Sequence, residues 1–201
     1  MQCITSSPTN SFVKSSVTET QVSTLFKALD TNKSSTDIPN KLIKLAADPL
    51  SEPFTQIFNQ SIVTVPNVLK SRMSLQFTKI VTSLTQVLNY RSISILSPFS
   101  KVLERLIYNQ LYDFLEKLCI LFHYQFGFRK GYSTEQAILE ITDTLRKTLD
   151  KKLVTCGLQT FQRHLTLNHD ILLSKLYHYG IRGTPLDWFK NYLYDRTQFV
   201  N

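Results

Sequence analysis

The sequence predicts an α+β chain that is mostly helical. Three observations carry this. Apolar residues recur at helical spacing in several stretches, most clearly over residues 98–118 and 134–150. Thr18 with Gln21, and Ser133 with Gln136, have the spacing of capping boxes. Strand-like runs are few and short, at residues 91–96, 153–158 and 197–200.

Residues 1–17 are rich in Ser and Thr without an apolar period and read as a frayed, disordered terminus. From Thr18 a helix places Val22, Leu25, Phe26 and Leu29 on one face. A polar loop over residues 30–39 leads to two short helices, at 40–47 and 50–62. The second buries Leu50, Phe54, Ile57, Phe58 and Ile62, and Pro66 lies beyond its end. Residues 73–87 mix β-branched side chains with no clean alternation across the window. Ser97 then caps a helix that has Pro98 at its first position, with Leu103, Ile107, Leu111, Phe114, Leu115 and Leu118 as its stripe. The helix after Ser133 turns Ile138, Ile141, Leu145 and Leu149 inward. Glu135 and Glu140 lie toward its start, and Arg146, Lys147, Lys151 and Lys152 toward its end, as the helix dipole favours. Gly180 stops a helix over 170–179, and Thr184 and Pro185 start the last one.

Composition narrows the classes. The chain has 201 residues, of which 42% are hydrophobic, so a real core can form. Only 19% are charged, which excludes a highly charged disordered tail. No apolar run reaches 18 residues, and Met1 is not followed by a signal-like segment, so an intracellular chain without a membrane span is expected. Cys3, Cys119 and Cys156 are far apart and odd in number, unlike a disulfide framework or a zinc site. The net charge of +8 favours polyanion partners. It is spread evenly: residues 1–96 hold nine basic and five acidic side chains, and residues 97–201 hold 14 and ten.

No single motif carries chemistry. His123, His164, His169 and His178 lack metal-ligand spacing, Cys156 has no base placed beside it, and no glycine-rich phosphate loop is present. Arg129 and Lys130 lie between Gly127 and Gly131, where they are either a phosphate-binding turn or an ordinary solvated one. Trp188, Tyr192 and Tyr194 are candidates for stacking on bases, but their helical spacing suits core or rim positions better.

Longer stretches say more. NYRSISILSPFSKVLERLIYNQLYDFL, QFGFRKGYSTEQAILEITD and NHDILLSKLYHYGIRGTPLDWFKNYLYDRTQFV occur in that order. Together with the segment from Val17 to Ile62, they resemble the reverse transcriptase domain of non-LTR (LINE-type) retrotransposons over about residues 18–201. The resemblance implies a partial right-hand polymerase fold. Residues 18–152 would be a fingers-like helical region. Residues 153–201 would be a palm remnant with an incomplete sheet, ending before the family's Asp-Asp hairpin. It also implies an RNA template and a DNA primer as partners in the intact family. Arg91 then falls where the family places a fingers arginine near the nucleotide phosphates. Arg129 and Lys130 fall in the block of the template path.

The family's chemistry uses two magnesium ions held by aspartates. This chain has no Asp-Asp dipeptide, and no acidic residue stands between Asp150 and Asp170. Where the family reads something like DISKAFDT before NHDILL, residues 160–167 read TFQRHLTL, inside a stretch that Gln159 opens and Leu167 closes. The codons GAC ATT TCA AAG GCA TTT GAC ACT spell DISKAFDT. Read one base later, with a following T, they spell TFQRHLTL. A frameshift that enters just before the catalytic aspartate and reverses before Asn168 accounts for the whole string. The same device converts NVTPVYKNSDL into MSLQFTKIVTS, the string at residues 73–83, and would scramble the fingers hairpin over 73–87. The expectation is therefore a catalytically inactive fragment that binds no cofactor, whose site residues are at most Arg91, Arg129 and Lys130. The alternative is a non-catalytic remnant that binds RNA or DNA weakly through its basic surface.

Overall fold

Capping side chains decide where several of the helices begin. The computed structural model describes residues 11–31, 38–63, 72–78, 90–151, 168–194 and 198–200. Helix α1 (Glu19–Lys27) starts on Thr18, whose Oγ1 accepts from the Gln21 N–H at 3.4 Å while Gln21 Oε1 accepts from the Thr18 N–H at 3.1 Å. Helices α2 (Asn40–Leu45) and α3 (Ala47–Val63) follow. The latter begins three residues earlier than its apolar pattern suggests, because Asp48 and Pro49 both suit a first turn. Helix α4 (Pro98–Lys117) starts on Ser97, whose Oγ accepts from the Ser100 N–H at 3.2 Å. Helix α5 (Thr134–Asp150) repeats the capping box with Ser133 and Gln136 at 3.2 and 2.9 Å.

Helices α6 (His169–His178) and α7 (Thr184–Leu193) are joined by a short turn. Gly180 takes φ +95°, a left-handed conformation that a side chain would strain. There the Gly180 N–H bonds the Tyr177 carbonyl at 3.1 Å and the Ile181 N–H bonds the Leu176 carbonyl at 3.0 Å. These are the two bonds of a Schellman stop, and Ile181 is fully buried behind them.

Three strands form one sheet in the order β2-β1-β3. Strand β1 (Arg72–Thr78) pairs antiparallel with β2 (Tyr90–Ile95), in a register that sets Met73 opposite Ile95 and Thr78 opposite Tyr90. It pairs parallel with β3 (Gln198–Val200), Met73 opposite Phe199. The string expected to be a scrambled hairpin thus begins as a regular strand. Over residues 73–78 the sequence alternates Met-Ser-Leu-Gln-Phe-Thr, a period of two that the longer window hides. The strand expected at 153–158 and the stretch at 159–167 lie outside the described residues.

The described residues sort into two units, Met1–Phe114 with His169–Asn201, and Leu115–Asn168. In the first, Val17, Val22, Phe26, Ile43, Ala47, Phe58, Ile62, Val102, Leu103, Leu106, Ile107 and Trp188 form the main core. Phe54 and Phe99 stack at its edge, with centroids 4.3 Å apart and planes 8° apart. A smaller cluster gathers Phe12, Leu176 and Ile181.

Three sequence expectations need correction. Ile57, expected on the buried face of α3, is exposed. Residues 11–17 are not a frayed terminus. Phe12 and Val17 are buried, and the Phe12 N–H donates to the Gly180 carbonyl at 2.9 Å. The side-chain amides of Gln110 and Asn59 then bond both backbone groups of Ser15 and of Val17, as a neighbouring strand would. In the second unit, α5 buries none of its residues, and Ile138, Ile141 and Leu149 are exposed rather than turned inward. A stripe at helical spacing shows that a helix is amphipathic; it does not supply the surface that covers it.

Candidate nucleic-acid interface

Arg91 lies in the first unit, on β2, in register with Phe77 of β1. Arg129 and Lys130 lie in the second, in the turn between α4 and α5. The turn is built around Arg129. Its Nη2 donates to Glu116 Oε1 at 3.0 Å and to Oε2 at 3.2 Å, and its Nε donates to Oε1 at 3.2 Å. Its Nη1 donates to the Phe122 carbonyl at 3.1 Å, and the guanidinium lies 4.3 Å over the Tyr132 ring. Phe126 meets Tyr132 edge-on at 5.6 Å. The Arg129 side chain is only 9% exposed. Its planar fork therefore holds the turn together. Lys130, the next residue, is exposed. Of the two cations singled out by sequence, one shapes the loop and the other presents charge to solvent. Glu116, 13 residues earlier, was missed as the partner of Arg129 because no local pattern ties residues across a turn of that length.

The aromatic candidates on α7 are structural. Trp188 is buried, donates its Nε1–H to the Ser61 carbonyl at 2.7 Å and stacks on Tyr192 at 5.2 Å. Lys14 lies 5.4 Å over the indole and bonds the Ile62 carbonyl. Burial pushes the Lys14 amine down to about 8, against the attraction of Asp187. Tyr192 donates to Glu104. Tyr194 donates to Asp170 Oδ1 at 2.6 Å, and that carboxylate holds the Tyr194 phenol above its usual range.

A groove of about 300 Å³ between α1 and α4 is lined by Thr20, Gln21, Thr24, Asn109, Gln110 and Asp113 among others. Its lining holds no cation and does not suit a polyanion. Among the described residues no three His, Cys, Asp or Glu side chains come together. Asp170, the first acid after the expected position in sequence, lies in the first turn of α6 and accepts from Tyr194. No helix among the described residues is long and apolar enough to cross a membrane.

Two curated proteins of mobile elements are similar to the chain. The chain is 36% identical, over 123 residues, to the "Probable RNA-directed DNA polymerase from transposon BS" of Drosophila melanogaster. It is 28% identical, over 148 residues, to the RNA-directed DNA polymerase from mobile element jockey of the same fly. The matches cover 56% and 71% of this chain. They cover 12% and 16% of those proteins, so the chain spans a small part of the length of the relatives it matches. No protein-family model matches the chain.

Proposed function

We propose that this chain corresponds to the fingers and the start of the palm of a non-LTR retrotransposon reverse transcriptase, and that it does not itself polymerise nucleotides. The similarity to the two transposon polymerases supports the origin. One sequence observation carries the loss of activity: no acidic residue stands between Asp150 and Asp170, where the family places its first metal-binding aspartate. Nucleotide addition by two metal ions requires carboxylates that fix both ions about the attacking and leaving oxygens. Magnesium, an RNA template and a DNA primer belong to the intact enzyme in this reading. Primer extension on an RNA template with magnesium tests it, and incorporation above a no-enzyme background would refute it. The gene offers a second test: a neighbouring reading frame across codons 159–167 should spell an aspartate-led string similar to DISKAFDT.

A second reading, retained binding of RNA or DNA without chemistry, is favoured by the turn between α4 and α5. Residues 117–134 contain Lys117, Arg129 and Lys130 and no acidic residue. An affinity for RNA that falls steeply with salt supports this reading, and no binding at about 50 mM salt refutes it.

A further inference from the structure

Helix α5 carries an apolar stripe that no described residue of its unit covers. None of its own residues is buried, and Ile138, Ile141 and Leu149 are 64%, 47% and 58% exposed. Leu145 completes the row at helical spacing and is itself partly exposed. The two edges of the stripe differ in charge. Eleven residues make about three helical turns, so Glu135 and Arg146 stand on the same edge, about 16 Å apart along the axis. Both are exposed. The opposite edge holds Ala137, Thr144 and Thr148, which are small and uncharged.

We propose that α5 pairs with α5 of a second copy of this chain, antiparallel about a two-fold axis beside Ile141. In that register Ile141 meets its own counterpart, and Ile138 of each copy meets Leu145 of the other. A two-fold axis perpendicular to both helices keeps like edges together. Glu135 of each copy therefore stands beside Arg146 of the other, twice over, and the small uncharged edges close the far side. The two helix dipoles oppose each other in this arrangement. A parallel pair would set Glu135 level with Glu135 and Arg146 level with Arg146, with the dipoles aligned. The order of charge along one edge thus makes the stripe complementary to itself, which an arbitrary apolar partner would not require. The helix has 17 residues and is about 25 Å long, so the contact is well below the ~800 Å² per partner of a standard interface. The dimer is weak and reversible, with a Kd on the order of 10–100 µM. It needs neither polymerisation nor nucleic acid.

Analytical ultracentrifugation of the full chain from about 1 to about 200 µM brackets that affinity. The weight-average mass should climb from 23.2 kDa toward twice that value. Ile138→Gln combined with Ile141→Gln should hold the chain monomeric at the highest concentration. Glu135→Arg sets like charges against each other in both pairs and should weaken the dimer about fivefold or more at low salt, and Arg146→Glu should do the same. Mixed in equal amounts, these two variants should regain the parent affinity, because each arginine then meets a glutamate. The chain carrying both substitutions should regain it alone. Far-UV circular dichroism shows that each variant is folded. A monomer at every concentration, association that the charge variants leave unchanged, or no recovery on mixing overturns the antiparallel pair. At about 1 µM, below the expected Kd, the Ile138→Gln, Ile141→Gln chain should keep the parent's urea midpoint. A lower midpoint there shows that the chain covers the stripe itself and also overturns the dimer.

Discussion

Arg129→Ala isolates what holds the turn between α4 and α5. The guanidinium makes three bonds to the Glu116 carboxylate and one to the Phe122 carbonyl, and it covers Tyr132. Charge-assisted bonding of this kind is worth about 1.5–3 kcal/mol, and the cation–π contact about 0.5–2 kcal/mol. Two effects reduce the net loss. Freeing the arginine returns up to about 2 kcal/mol of side-chain entropy. Glu116, whose side chain is 36% exposed, regains water once its partner is gone and does not become a stranded charge. The expected cost is about 1–3 kcal/mol, confined to the turn. Hydrogen exchange measures it at the amides of Ile120 and Gln125, which bond the carbonyls of Leu115 and Phe122 at 2.9 Å. Their protection should fall between about fivefold and a hundredfold. Arg129→Lys keeps the charge but loses the fork and should fall between the two. In a double-mutant cycle with Glu116→Ala, a coupling energy near zero, or unchanged exchange at these amides, would refute the account of Arg129 as the organiser of the turn.

Other perturbations probe the rest of the chain. Burial lowers the Lys14 amine to about 8 in the folded protein, against 10.5 for an ordinary lysine, so between those values the unfolded chain holds the extra proton. Stability should therefore rise as pH climbs from about 8 toward 10.5 and be flat for this group below that window. Urea midpoints at pH 7.5 and 10 should show this rise in the parent and not in Lys14→Met, and equal rises would count against it. Trp188→Phe strands the buried Ser61 carbonyl and should cost about 1–3 kcal/mol, read from the denaturation midpoint. Ser133→Ala removes the α5 cap and should cost about 0.5–2 kcal/mol, seen as faster exchange in the first turn of that helix. Replacing Ile138 and Leu149 together by Gln should shift the unfolding free energy by no more than about 0.5 kcal/mol, because both are exposed; a loss of several kcal/mol would show that the face is covered in solution.

Local signals were legible and distant ones were not. Thr18, Ser97 and Ser133 each sit at the helix start that the sequence indicates, because a cap involves residues only two or three positions apart. Gly180 likewise stops α6 through bonds within five residues. The burial of Phe12 and Val17 was hidden because their partners stand at Gly180 and Asn59. Strand β1 escaped notice because its alternation lasts six residues within a longer irregular window. For the interface, sequence reading found Arg129 and Lys130 but not their division of labour, which depends on Glu116 folding back across the turn.

The chain has one tryptophan, and it is sealed in the core of the first unit with its N–H bonded and a tyrosine stacked on it. Its emission is a built-in optical gauge: blue-shifted while that core is closed, red-shifted once water reaches the indole. The second unit contains no such fluorophore, so a melt followed at this wavelength watches the first unit and is blind to the second.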